Sequence, residues 1–199
     1  LNDRGICQMN VFERNVAFRY VDMNDIPDDL EGFDFLWSSC SFEHLGNLEL
    51  GLKFVKRAMD CLKPGGIAIH TTEYNLDSNT DTVTEGVVSI YRRRDIEALA
   101  RDLRLDGHAL TLTFPEATGP YDWHVDTPPY THNPHLRLWL NGYVVTSYGL
   151  IIQKPRTALK REAIKQRSRA LYKAKALAAE GSRAIDQART LASRITEQV

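Results

Sequence analysis

An α/β fold is predicted for this chain of 199 residues, on three observations. Residues 33–75 read as strand, helix, Gly-rich turn and strand. A second helical pattern follows, and after it a long β-branched run at 143–153. The apolar fraction of 43% supplies a core, and the charged fraction of 26% is that of an ordinary water-exposed domain.

Residues 1–7 read as the frayed end of a helix, with Gly5 able to take the left-handed conformation after it. Residues 16–21 alternate as a strand that stops at Asp22-Met23-Asn24-Asp25, and Pro27 with Asp28-Asp29 turns the chain onward. The apolar run 33–37 then breaks into Ser38-Ser39-Cys40-Ser41. Leu48, Leu52, Val55, Ala58, Met59 and Leu62 return every three or four residues, the spacing of a helix face. Pro64-Gly65-Gly66 is expected to end that helix, and Ile67-Ala68-Ile69 opens the next strand. Such a βαβ unit places two strands parallel with a right-handed crossover. Ligands in sheets of this kind sit at the carboxyl ends of the strands. One end carries Ser38, Ser39, Cys40, Glu43 and His44; the other carries His70, Thr71, Thr72, Glu73, Tyr74 and Asn75.

Residues 76–86 are polar and turn-rich, a loop beside those tips, and 87–91 is a short apolar run. Arg92-Arg93-Arg94-Asp95 leads a helix with Ile96, Leu99, Ala100 and Leu103 on one face and Gly107 beyond its end. The arginines suit either a phosphate or a solvated helix edge. Residues 109–114 and 143–153 are expected as two antiparallel strands. Between them, 115–142 is long for a hairpin loop and reads as a cover. It holds Tyr121, Trp123, His124, Asp126, Tyr130, His132, His135, Arg137 and Trp139, a mixture suited to a polar, ring-shaped acceptor. The histidine spacing matches no familiar metal motif, and no metal is expected.

The segments 33–45 and 58–75, "FDFLWSSCSFEHL" and "AMDCLKPGGIAIHTTEYN", resemble the fourth and fifth strands of class I S-adenosylmethionine-dependent methyltransferases. The resemblance spans roughly residues 16–154 and rests on the Glu-His pair and the KPGG element. More narrowly, it points to bacterial methyltransferases of glycan-assembly gene clusters. It implies an incomplete Rossmann-like sheet, strands three to seven, with S-adenosylmethionine as cofactor. It implies that Asp22 meets the adenine amino group, that Met23 N–H meets a ring nitrogen, and that Ser38, Ser39 and Cys40 line the cofactor. The family's Gly-rich loop has no counterpart, since no GxG occurs in the chain. The first two strands are therefore expected upstream of Leu1, and cofactor binding by these residues alone is expected to be weak or nil. The fourth strand would then present an unpaired edge.

Methyl transfer to a hydroxyl is chiefly a matter of positioning, assisted by a general base. His44 and Glu43 are the catalytic candidates; capping of the following helix is the competing role for both. His70, Glu73, Tyr74, Asn75, Trp123 and His124 are the candidates for binding an acceptor, a sugar or another small polar molecule. A non-catalytic Rossmann-like scaffold with an association tail is the alternative.

Charge divides the chain near Pro155. Residues 1–153 carry a net −9 and residues 154–199 a net +8, which marks an acidic domain, by the resemblance a partial methyltransferase domain, followed by a basic helical tail. Ile164, Leu171, Ala178, Ile185, Ala192 and Val199 recur every seven residues, and Gly181-Ser182 is expected to bend or end the helix. Three partners suit such a tail: a protein helix, an anionic membrane surface, or nucleic acid, the last two disfavoured because Tyr172 is its one aromatic for anchoring at lipid or stacking on bases. Three cysteines without CxxC spacing argue for reduced thiols, and no apolar run reaches membrane-spanning length. A cytoplasmic protein is expected, with the tail able to lie on the inner face of the membrane.

Overall fold

A computed structural model describes residues 4–114, 119–131 and 136–196, with side chains of the last helix given to Arg183. The elements in chain order are α1 (Met9–Asn15), β1 (Phe33–Ser39), α2 (Leu48–Ala58), β2 (Leu62–Asn75), α3 (Arg93–Leu105), β3 (Ala109–Leu110), β4 (Val125–Asp126), β5 (Arg137–Leu140), β6 (Tyr143–Gln153) and α4 (Ala158–Thr196). They make a mixed six-stranded sheet with helices, an α/β architecture. Its order is β1-β2-β6-β5-β4, with β3 also on β6. β1 and β2 are parallel, as a βαβ unit requires, and β6 runs antiparallel to both β2 and β3.

One face of the sheet is the core. Leu36, Ala68, His70, Thr72, Tyr148, Leu150 and Ile152 share it by register, and α2 and α3 cover it with Phe54, Val55, Ala58, Ile96, Leu99 and Leu103. The opposite face holds the row Trp37, Ile69 and Ile151, with Phe35 and Ile67 in the next register row. Trp37 is 69% exposed and Ile151 62%, so this face stands open among the described residues. β1 is the edge of the sheet, as expected.

Several local expectations are corrected. Residues 16–21 form no strand; Phe18 and Tyr20 lie exposed, because no neighbouring strand satisfies that backbone. α1 was not anticipated, and Gly5 has φ +62° as expected, although residues 1–3 lie outside the described residues. Pro64-Gly65-Gly66 does not separate helix from strand. α2 ends at Ala58, a 3₁₀ turn covers Met59–Cys61, and the KPGG residues bulge within β2. The pairing advances two residues on β1, from Phe33 to Phe35, while β2 advances from Leu62 to Ile67. Gly65 holds φ +89° there, and Lys154 Nζ donates to the carbonyls of Met59 (2.9 Å) and Leu62 (2.7 Å), satisfying orphan carbonyls past the helix end. Strand structure at 109–114 stops at Leu110, though Leu112 and Phe114 still pack on the core.

α4 continues through Gly181-Ser182 without a break. A single glycine costs about 1 kcal/mol against alanine, too little to stop a helix with good formers on both sides. Its first turns are not a free tail: Arg161 Nε donates to Asp106 O at 2.8 Å and Ser168 is buried. Past Tyr172 the described side chains are exposed, while Ile185, Ala192 and Val199 lie outside the described side chains. Among the described residues, no helix is long and apolar enough to cross a membrane.

Gly51 shows how tightly α2 is seated. A Cβ there would come 2.0 Å from Tyr91 Oη and 2.5 Å from Phe42 O. Gly51→Ala is expected to destabilise the fold by about 1–3 kcal/mol, the usual cost of overpacking. Urea midpoints measure it, and an unchanged midpoint would show that α2 can shift outward freely.

Candidate functional site

The parallel pairing sets Ser38 beside His70 and Ser39 beside Thr71, which fixes the two strand tips as neighbours. At the turn after β1, Cys40 adopts φ +43°, a left-handed conformation uncommon for a residue with a Cβ. Its N–H donates to Thr71 O and Thr71 Oγ1, both at 3.1 Å, and its Sγ lies 3.9 Å from Ser147 Oγ. The chain then enters the 3₁₀ turn Phe42–His44. α2 is capped by Asn47, whose Oδ1 accepts from Leu50 N at 2.9 Å, so neither Glu43 nor His44 fills the Ncap position.

Glu43 is fully buried. Thr72 Oγ1 donates to its Oε2 at 3.2 Å, while Oε1 has no hydrogen-bond partner. Burial pushes its pKa above the usual carboxylate range, partly opposed by its own backbone N–H, Thr72, the His44 charge and the Cys40 thiol. Glu73, half-buried, is pushed up by burial and by the Glu43 charge. Cys40, Glu43 and Glu73 bring one ligand atom each to within 4.8 Å of one another. His44 is exposed, and its Nδ1–H donates to Val87 O at 2.6 Å. A carbonyl only accepts, so neutral His44 carries its lone pair on Nε2.

The remaining predicted residues divide by place. Ser38 Oγ and His70 Nδ1 share a hydrogen bond of 2.7 Å on the core face. His70 is fully buried against the rings of Phe42 and Phe54, so at this position it does not reach a solvent-borne acceptor. Ser39 is exposed at the tip. Tyr74 packs in a ring cluster with Phe114 and Tyr148. Asn75 spends its amide on the following loop, accepting from Asp77 N and Ser78 N and donating to Asp81 O and Thr82 Oγ1. Asp22 is exposed in a side-chain turn, its Oδ1 accepting from Asn24 N at 2.8 Å, and Met23 packs against the core. Without a strand at 16–21, these two do not sit at a strand end beside β1.

The cover segment folds in part onto the sheet, as β4 and β5 alongside β6. Trp123 and His124 are exposed just before β4, with Arg137 over the Trp123 ring at 5.1 Å. β4 is three strands from β2, roughly 14 Å at ordinary strand spacing, so they stand apart from the Cys40–Glu43–Glu73 group. His132 and His135 lie outside the described residues. A groove of 810 Å³ lined by Ile67, Leu110, Ile151, Ile164 and Leu171 lies toward the other end of β2 and is separate from the tips. Sequence reading placed Thr72 at the tip and a loop over 76–86 beside it, but missed Ser147 and the closure of the strap, in which Ser89 N–H donates to Glu43 O and Gly86 N–H to Gly46 O. No spacing rule signals these, because each arrives from a different segment.

No family model matches the chain, and no curated protein matches it. Among solved structures it is similar to one titled "Crystal Structure of the [4+2]-Cyclase SpnF", with 21% identity and a TM-score of 0.39. The match covers 51% of this chain and 35% of that one, so the chain spans about a third of that structure's length.

Proposed function

We propose that this chain forms the acceptor side of an S-adenosylmethionine-dependent methyltransferase acting on a hydroxyl of a sugar or another small polar molecule. The observation that supports it is the junction of the two tips: Cys40 N–H reaches Thr71 O at 3.1 Å, and Thr72 Oγ1 reaches Glu43 at 3.2 Å. The insertion of β6, antiparallel, between β2 and β3 matches the closing strands that the resemblance implies. The fit to the cofactor is one-sided. Ser39, Cys40 and Glu73 offer groups at the tips, whereas Asp22 is engaged in its own turn and no Gly-rich loop is present.

S-adenosylmethionine, when bound, supplies a methyl group on a sulfonium. The residues present then have the following work. His44, its Nδ1–H held by Val87 O, offers Nε2 to take the acceptor hydroxyl proton. Glu73, half-buried and pushed toward the neutral form, can donate to or accept from acceptor hydroxyls, whereas Glu43, fully buried, does not reach them and acts through its charge on Glu73. The exposed basic part of α4 would hold a protein partner or an anionic surface. The open β1 edge and the open sheet face favour a second reading, a non-catalytic Rossmann-like scaffold with an association helix.

The test uses the natural protein at its full length. Calorimetry with S-adenosylhomocysteine is expected to give micromolar affinity, and His44→Ala to lower turnover about 10²–10⁴-fold with that affinity kept. A silent titration would overturn the cofactor reading and leave the scaffold.

A further inference from the structure

Cys40, Glu43 and Glu73 come from two strand tips, some thirty residues apart in sequence. Their ligand atoms nevertheless lie within 4.8 Å of one another. Three potential anions at that separation repel unless protons or a cation stand among them. An independent observation points to a ligand. Glu43 has no exposed surface, yet its Oε1 has no hydrogen-bond partner. Buried carboxylate oxygens are ordinarily satisfied, and leaving one bare is costly. Thr72 Oγ1 occupies only Oε2, at 3.2 Å.

We propose that Cys40 Sγ and the carboxylates of Glu43 and Glu73 form a binding site for a divalent transition-metal ion of the zinc class. A thiolate beside two carboxylates is a borderline donor set: it suits Zn²⁺ or Co²⁺ and is poorly matched to Mg²⁺ or Ca²⁺, which take oxygen ligands. Metal–ligand bonds of about 2.0–2.3 Å need donors roughly 3.3–3.7 Å apart, so the three side chains close in by no more than roughly 1.5 Å. Glu73 and Cys40 are only partly buried and can rotate to do so, while Glu43 is the fixed member, held by Thr72. Three protein ligands leave a fourth position open to water or to a hydroxyl, the pattern of reactive rather than purely structural sites. This site differs from the histidine-rich cover segment, where sequence spacing gave no metal motif. It goes beyond the methyltransferase reading and requires neither that cofactor nor an acceptor, so either can fail alone.

Binding is tested on the whole chain, prepared without a polyhistidine tag, by titration with CoCl₂ and displacement by ZnCl₂. One equivalent of Co²⁺ is expected, with a thiolate-to-cobalt charge-transfer band in the near ultraviolet. Cys40→Ser should abolish that band and weaken Zn²⁺ binding about 100-fold, and Glu73→Gln about 10-fold or more. Cys7→Ser, outside the three-ligand group, should change neither. Glu43→Gln guards against mere unfolding: it is nearly isosteric and is neutral at every pH, so the metal-free variant should melt no lower than the parent while losing metal affinity. Absence of the band, its persistence in Cys40→Ser, or unchanged affinity in Glu73→Gln would each overturn the site.

Discussion

Acidification from pH 6.5 to 4 is expected to weaken the fold by about 3 kcal/mol for each of two buried histidines, His70 and His108. Burial lowers both from an ordinary 6.5 to about 4, with the Arg161 charge a further cause at His108. Between those values the unfolded chain protonates these rings while the folded chain keeps them neutral. The unfolded state therefore binds more protons, and stability present above 6.5 is lost as pH falls toward 4. Lowering a pKa from 6.5 to about 4, at about 1.36 kcal/mol per pH unit, sets the scale. Both rings are fitted to neutrality: His70 Nε2 and His108 Nδ1 are buried without a hydrogen-bond partner, and a second ring proton would be stranded there. Glu43 and Glu73 act in the opposite sense. Their raised values mean the folded state holds protons that the unfolded state has released, so their contribution is present at low pH and fades as pH rises. The histidine share is isolated by urea unfolding at pH 4.5, 5.5 and 7 of the parent, His108→Gln and His70→Gln. Each substitution should flatten the acid slope. A parent curve no steeper than the variants would show that both rings accept protons in place.

Asp95→Ala is expected to cost about 3–5 kcal/mol, the usual result of breaking a buried ion pair on one side only. Asp95 Oδ2 accepts from Arg92 N–H at 2.9 Å and from Arg92 Nε at 2.7 Å, and Oδ1 accepts from Nη2 at 3.1 Å. The Arg92 side chain is 9% exposed, and its remaining arm, Nη1, donates to Thr80 O at 2.6 Å. Removing the carboxylate leaves a buried guanidinium and the N–H of Arg92, the residue capping α3, without that acceptor. The loss should also reach the loop over the site, because Arg92 and Asn75 together hold residues 77–82. Asp95→Asn, which keeps one acceptor, should cost clearly less. The measurements are urea midpoints and amide exchange over 77–91; equal midpoints for Ala and Asn would place the energy elsewhere.

Arg92-Arg93-Arg94 shows how far sequence reading reaches. The triplet correctly marks the start of α3, yet its members do different things. Arg92 turns inward to Asp95, Arg93 pairs with Glu97 and lies over the Phe114 ring, and Arg94 N–H meets Asn79 Oδ1. Charge in a row predicts a basic edge, but which arginine is buried depends on where the 77–91 loop passes. Residues 16–21 make the same point from the other side. Alternation is a local property, whereas a strand exists only if another strand takes up its hydrogen bonds.

The sequence by itself determined what short-range periodicity can encode. It settled α2 and α3 with their buried faces, β6 to its ends, the parallel start of the sheet, and the polar character of the tips after Ser39 and at His70 to Asn75. Which of those polar groups face each other was decided only in three dimensions. Strand pairing puts His70 on the core side and Glu73 on the open side, because successive side chains alternate across a sheet. The turn at Cys40, with its positive φ, then carries Glu43 over the end of β2 to meet Thr72 and Glu73. Burial, and with it every shifted pKa at the site, comes from that long-range packing. No window along the chain contains the groups that produce it.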